Sequence, residues 1–294
     1  MPYDGESVLV TGATGGIGQA VVRRLAGLGF TVYAGVRGAA PGLAALDRVR
    51  VVEFDVADAD AVAAAAAEIG LQAGGRLRAV VNNAGIIVQG PLELVPAAEI
   101  RRQFAVNVYG PVLVAQALLP LLRAGRGRIV NVSAPTARTA VPFLGALSAS
   151  KAALESVSDA LRGELAAFGI PVCVVEPGAT DTAIFATAQK AARQALAAAD
   201  ADRIALYGPA LEALERSAAA MKLAPVDRPA AAIVRAVTAD RPKARYLVGT
   251  EARAAGLISH LPPKTRTRMV MRAMGLPRPR PRPAAEAQPV SRTR

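Results

Sequence analysis

The stretch that decides the fold is "VLVTGATGGIGQAVV", Val8 to Val22. It opens on a short apolar run, passes through glycines at 12, 16 and 18, and closes on an apolar helical pattern. A turn from strand to helix needs glycine for three reasons. The turn is tight, a pyrophosphate must approach the backbone closely, and the helix must pack near the strand. Free N–H groups at the start of the helix then face the phosphates. A glycine cluster alone is a weak signal, but one set between a strand and a helix predicts dinucleotide binding.

The same alternation continues outward. "SVLVTG", "TVYAGVR", "VRVVEFDV", "LRAVVNNAG", "GRIVNVS" and "PVCVVEPG" read as strands. Between them lie helical patterns: "IGQAVVRRLAGLG", an Ala-rich segment near 42–47, "ADAVAAAAAEIG", roughly 96–123 and roughly 146–168. Strands with continuous apolar runs, alternating with helices, predict a parallel sheet covered on both faces, a doubly wound α/β domain. No internal repeat of solenoid period is present. After the sixth strand, residues 183–225 form an Ala-rich helical insertion. It reads either as a lid over a ligand site or as plain packing helices.

A chain of 294 residues, 52% hydrophobic and 20% charged, is long enough and apolar enough to bury a core as a globule. No unbroken run of eighteen apolar residues occurs, so no membrane span is expected. "MPYDGESVLV" lacks the basic start and apolar stretch of a secretory signal. One cysteine, Cys173, rules out an internal disulfide framework, and together these features predict a cytoplasmic protein. One His and one Cys cannot supply a His/Cys zinc site, so no metal is expected.

The net charge of +12 is concentrated at the C-terminus, where residues 264–294 hold one Lys and eight Arg against one Glu. "LPRPRPRPAAEAQPVSRTR" reads as a disordered, extended tail, and "LPPKTRTRMVMRAMG" before it as a short basic helix. The domain boundaries expected are therefore 1–262 for the nucleotide-binding body and 263–294 for the basic tail. Such a tail either touches an anionic surface or is a solvated, solubilising segment; no specific nucleic acid is expected.

At the end of the second strand an acid would hold the adenosine ribose. "TVYAGVRG" has Val36 there, followed by Arg37. An Arg at this place pairs with a 2′-phosphate and favours NADP(H) over NAD(H), the competing reading being a solvated Arg at a strand end. Asp55, after "VVEF", reads as an adenine partner or as a surface turn residue.

These residues resemble the short-chain dehydrogenase/reductase family over roughly residues 5–260. "TGATGGIG" is similar to its cofactor loop, which implies cofactor contacts at Thr11, Gly12, Thr14, Gly16, Ile17 and Gly18. "NNAG", Asn82 to Gly85, resembles its sheet-stabilising motif, which with Asp55 and Val56 adds Asn83, Ala84 and Gly85 to the implied cofactor site. "VNVYG" puts Asn107 at the family's catalytic Asn, in a helix that commonly packs in dimers. "PGATDT" resembles the segment that contacts the nicotinamide carboxamide, through Pro177, Gly178, Thr180 and Thr182. The resemblance implies a Rossmann-type single domain with a helical lid insertion, bound NAD(P), hydride transfer to or from a carbonyl or alcohol carbon, and a homodimer or homotetramer.

The family's active site combines Asn, Ser, Tyr and Lys, with Tyr-x-x-x-Lys on one helix. Positions i and i+4 share a helical face, so the Lys charge lowers the phenol pKa. In "LSASK", Lys151 matches the Lys but the tyrosine position is Leu147. Thirteen residues earlier, the serine position is Ala134, with Ser133 beside it. Leu has no proton to give and Ala no hydroxyl to polarise a carbonyl. A positioned general acid contributes ~10²–10⁴-fold, so ordinary tyrosine-driven reduction is expected to be slow or absent. Lys151 and Asn107 are the catalytic candidates that remain, and Lys151 is also expected to hold the cofactor ribose. Ser133, adjacent on a strand and so facing the other way, is a weaker substitute. Ser148 is one helical step from Leu147 and should face elsewhere. Tyr109 should point away from Asn107 and into the core.

Leu147, Ala134, "TAVPFLGA" and the insertion make an apolar corner, suited to a lipophilic small molecule. Three functions stay open. One is an NADP(H)-binding enzyme with a nonstandard site, doing hydride transfer without Tyr or a redox-neutral cyclisation or isomerisation. Another is a non-catalytic NADP(H)-binding regulatory or interaction protein. The last is a reductase inactivated by substitution at 134 and 147.

Overall fold

A computed structural model describes residues 1–277. Alternation of strand and helix runs through the chain in the order β1 (Ser7–Thr11), α1 (Gly16–Gly27), β2 (Thr31–Val36), α2 (Pro41–Ala44), β3 (Val49–Glu53), α3 (Ala59–Gln72), β4 (Ala79–Asn82), α4 (Ala97–Phe104), a π-turn (Ala105–Tyr109), α5 (Gly110–Ala124), β5 (Arg128–Val132), α6 (Gly145–Leu165) and β6 (Val172–Pro177). The insertion follows as α7 (Ala183–Ala197) and α8 (Ala201–Ala219), then α9 (Asp227–Thr238), β7 (Arg245–Val248), α10 (Thr250–Ile258) and α11 (Pro263–Ala273).

The strands form one parallel sheet in the order β3-β2-β1-β4-β5-β6-β7. Every residue of β1, β4, β5 and β6 is buried, as an all-parallel sheet with two covered faces requires. One face packs on α1 and α9 through Val21, Leu25, Ile233 and Val237. The other packs on α3 and α5 through Ile69, Val114, Leu118 and Leu122. Each such fully buried side chain contributes about 1.5–3 kcal/mol. The order reverses between β1 and β4, which opens a crevice at the carboxyl ends of the strands, where α/β sheets bind ligands.

Four features depart from the sequence reading. The seventh strand, β7, and the helix before it, α9, were not foreseen. β7 is only four residues long, and two of its pattern signals are an Arg and a half-buried Val. The short basic helix expected after Leu261 is present as α11, and Leu276 beyond it is buried, so ordered structure continues past the expected boundary at 262. Residues 278–294, with most of the expected extended tail, lie outside the described residues. Tyr109 is 63% exposed rather than core, because the face opposite Asn107 on this helix looks outward. Finally, the continuous helix Ala97–Ala124 is long and apolar enough to cross a membrane by length and composition, although half of that apolar window is buried. Counting unbroken apolar runs missed it, since Asn107, Gly110 and Gln116 interrupt the run without lowering its mean hydropathy much. Its packing against β4, β5 and α3 accounts for its apolar character.

Candidate functional site

A cleft of about 900 Å³ runs along the carboxyl ends of the strands. Its floor is the glycine turn. Gly12 has φ +63°, and a Cβ there would stand 2.7 Å from Ala84 Cα. A Cβ on Gly18 would stand 2.3 Å from the Gly12 carbonyl oxygen, so helix and turn meet at a distance only glycine permits. Asn83 fastens this turn from below, donating through Nδ2 to the carbonyls of Thr11 and Gly12 at 3.0 and 3.1 Å. The first turn of α1 has no side-chain cap and no acid, so its amides are free for an anion on the cleft side. These features fit a dinucleotide's phosphates.

Most of the anticipated cofactor residues border the cleft: Gly12, Thr14, Gly16, Ile17, Gly18, Arg37, Asp55, Val56, Asn83, Ala84, Gly85, Lys151, Pro177, Gly178, Thr180 and Thr182. Thr11 does not. Its hydroxyl lies beneath the turn and accepts from the Asn83 and Ala84 amides, both at 3.1 Å, a structural role that the motif alone did not separate from cofactor contact. Arg37 is exposed at the end of β2. Asp55 accepts from the Ala57 amide at 2.9 Å, the bond of an Asx turn, while still bordering the cleft.

The far end of the cleft holds the corner anticipated from the sequence. Ala134 and Leu147 both line it, with Val141, Leu144, Ile184 and Phe185 around them. Lys151 lies one turn beyond Leu147, is buried, and donates from Nζ to the Val132 carbonyl at 2.7 Å. Burial lowers its pKa to about 8, with the nearby Glu155 carboxylate opposing the shift.

Ser133 is no substitute for the absent hydroxyl. Although the residue borders the cleft, its Oγ donates to Glu155 Oε1 at 2.6 Å. Its position one residue off on the strand end turns the hydroxyl toward α6. Ser148 also faces elsewhere, accepting from the Val141 amide at 3.3 Å. Asn107 sits in the π-turn with its carboxamide closed on Ile86: Oδ1 accepts from the Ile86 amide at 2.9 Å and Nδ2 donates to the Ile86 carbonyl at 3.0 Å. It is fully buried and does not line the cleft, so in this geometry it positions the 84–87 segment rather than touching a reacting group. π-turns of this kind often mark functional positions.

Several residues were missed from sequence. Gln103, one turn before Asn107, bridges Val88, Ile86 and Ser150 from a buried position. Its i, i+4 spacing to Asn107 was the available signal. Beneath the corner lies a buried ionic network. Arg245 pairs with Glu155 Oε2 at 2.7 Å and with Glu176, and Arg138 reaches Glu176 at 3.1 Å. Burial pushes the Glu176 carboxyl above its ordinary range, against the opposing pull of Arg245. Arg245 arrives from β7, far along the chain from both carboxylates. Thr136 Oγ1, two residues past Ala134, is buried without a hydrogen-bond partner on the cleft wall.

The insertion covers this end. Ile184, Phe185 and Ala188 of α7 line the cleft, as does Met221 after α8. The lid is tied to the rim by Arg203 Nε and Tyr207 OH, which bond the Glu93 carboxylate at 3.0 and 2.7 Å. No group of three or more potential metal ligands occurs among the described residues.

The model of the short chain dehydrogenase family matches residues 6–193. The chain belongs to this family. It is 39% identical over 181 residues to a 3-amino-tetrahydro-pyrrolizinone reductase of Xenorhabdus hominickii, covering 61% of this chain and 63% of that one. An NADPH-dependent 3-dehydrocapnine reductase of Ornithobacterium rhinotracheale is 32% identical over 250 residues, covering 82% of this chain and 87% of its own length. A crystal structure of a short chain dehydrogenase from Burkholderia cenocepacia in complex with NADP superposes with a TM-score of 0.71 at 25% identity, covering 92% of this chain and 99% of that one. The chain thus spans less than two thirds of the Xenorhabdus reductase.

Proposed function

We propose that this family member is an NADP(H)-binding oxidoreductase-type enzyme with a nonstandard active site, acting on a lipophilic small molecule. The observation that carries the proposal is the pairing, in one cleft, of an intact glycine turn with Ala134 and Leu147 at the corner beside Lys151. When bound, a nicotinamide supplies hydride donor or acceptor chemistry at that corner. The residues of the chain do the rest. The amides of the first turn of α1 hold the diphosphate, and Arg37 faces a 2′-phosphate, the reason to favour NADP(H) over NAD(H). Lys151 Nζ holds the ribose and is a proton-bearing group one helical turn from Leu147. Leu147, Ala134 and the lid orient an apolar substrate, leaving the proton to come from water, from the substrate or through Lys151.

A redox-neutral cyclisation or isomerisation fits the same corner, because neither reaction needs the missing phenol. A homodimer or homotetramer belongs to this reading, supported by the exposed Tyr109 on the helix through 97–124. So does cytoplasmic residence, supported by the single, buried Cys173, whose thiol burial pushes up to about 11.

The test combines binding with repair. NADPH should raise the melting temperature of the unaltered chain, and Ala134→Ser with Leu147→Tyr should create carbonyl reductase activity that the parent lacks. Parent turnover of ketones at ordinary rates would overturn the nonstandard site. Cofactor binding with no reaction of any class, before or after repair, would favour a non-catalytic NADP(H)-binding protein.

A further inference from the structure

Part of the cleft wall is formed by α10 and the end of α11. Ala254, Ala255 and Ile258 of α10 line the cleft, and so do Ala273 and Met274 at the end of α11. The outer surface of these two helices is unlike the rest of the body. From the start of α10 to residue 277 there are five cations, Arg253, Lys264, Arg266, Arg268 and Arg272, against one acid, Glu251, which borders the cleft.

Helical spacing sorts them. Lys264, Arg268 and Arg272 stand at i, i+4 and i+8 on α11, so they share one face, and all three are exposed. None of the four cations Arg253, Lys264, Arg268 and Arg272 makes an ion pair among the described residues. Arg266 differs: it turns inward and donates to the Ser259 carbonyl at 3.1 Å, helping to hold α11 against α10. Apolar side chains lie among these charges. Leu257, one turn from Arg253 on the outer face of α10, is 76% exposed, and Met269 of α11 is 44% exposed.

Folding does not explain this surface. No residue of α11 is buried, and its first turn carries Lys264 where the helix dipole favours an acid. The inner face of α10 is anchored by other contacts, Thr139 Oγ1 to the Ala255 carbonyl at 2.9 Å and Arg138 to the Ala252 carbonyl at 3.1 Å. Unpaired cations set around exposed Leu and Met on two surface helices match the chemistry of an anionic bilayer interface.

We infer that the outer face of α10 and α11 docks on a membrane bearing anionic phospholipid, which puts the adjoining part of the cleft at the lipid surface. A lipophilic substrate then reaches the corner beside Leu147 from the leaflet, between α10 and the lid. The second step rests on the substrate class proposed above. The docking itself does not.

The experiment is flotation of the full chain with extruded vesicles of phosphatidylcholine, with or without about one third phosphatidylglycerol, at about 0.1 M salt. The full chain should float with the anionic vesicles and stay behind with the neutral ones. Lys264→Glu/Arg268→Glu/Arg272→Glu should weaken this at least about tenfold, each reversal removing an attraction and adding a repulsion. Leu257→Ser/Met269→Ser should weaken it too, which attraction between charges alone would not produce. All of these positions are exposed, and NADPH protection against thermal unfolding checks that each variant is folded. Binding of the triple variant at parent strength would overturn the assignment to this face. So would equal flotation with neutral vesicles, or release of the chain from anionic vesicles by a DNA duplex at matched charge. Vesicle docking is read without substrate, so an inactive but docking chain would sink the enzyme reading and leave the surface standing.

Discussion

The two ends of one cleft have been built to different rules. At the glycine turn the fit is tight and the fastening polar: Asn83 clamps two carbonyls, and no Cβ fits at Gly12 or Gly18. At the corner near Leu147 the cleft wall is apolar, and the polar groups have been drawn beneath it, into the Ser133–Glu155–Arg245–Glu176 network. On the function proposed above, the difference makes nucleotide binding and proton transfer separable in this fold. The first depends on backbone amides at a turn. The second depends on two side chains, and their exchange leaves the strands and helices that carried them in place.

The largest expected effect restores likeness between the ends. Leu147→Tyr alone should raise NADPH-dependent reduction of a hydrophobic ketone by ~10²–10⁴-fold, since Lys151 already stands one turn away to lower the phenol pKa. Adding Ala134→Ser should raise it further, by less than the product of two independent effects, because the pair acts as a unit. Steady-state rates for the three proteins check both statements. No gain from either exchange would mean that the corner is not a silenced version of the family's site.

Next in size is the network beneath the corner. Arg245→Ala leaves Glu155 and Glu176 buried with less compensation and should cost about 3–5 kcal/mol in urea unfolding. A loss below about 1 kcal/mol would show that the buried charges are not held by this Arg.

Lys151 sharpens the comparison through pH. Its folded pKa of about 8 lies below the ordinary 10.5, so the folded chain binds this proton less tightly than the unfolded chain. Below about 8 both states carry the proton and the fold bears the whole burial cost. Between about 8 and 10.5 only the unfolded state keeps it, and stability from this group rises with pH. Lys151→Met should therefore stabilise the cofactor-free protein by about 3 kcal/mol at pH 7, a gain that fades as pH climbs through that window. Denaturant unfolding from pH 7 to 10.5 measures it. A gain that does not change with pH would contradict the burial of a charged Lys.

The smallest effect lies at the nucleotide end. Arg37→Ala should weaken NADPH binding about tenfold, from loss of a charge-assisted hydrogen bond, and leave NADH nearly unchanged. Equal losses for both would make Arg37 a solvated residue.

Sequence alone disclosed the parts of this molecule whose logic is local. The glycine turn, the buried strands and the Leu147–Lys151 spacing each follow from contacts within a few residues. What stayed hidden depends on contacts distant in the chain. Thr11 looked like a cofactor ligand because the motif includes it, yet its hydroxyl serves Asn83 and Ala84, some seventy residues on. Asn107 looked catalytic, but its carboxamide is closed on Ile86. Arg245 gave no signal at all, because its partners come from α6 and β6. Helical phase turns Tyr109 away from Asn107 as expected, but that face looks outward rather than into the core.

The most direct test of the separation between the two ends is a calorimetric titration of the unaltered chain with NADPH, run beside its rate of ketone reduction. The account expects saturable binding at one site per chain together with turnover far below that of the Ala134→Ser/Leu147→Tyr protein. Absence of any heat of binding for NADPH, or turnover equal to that of the repaired protein, would contradict it.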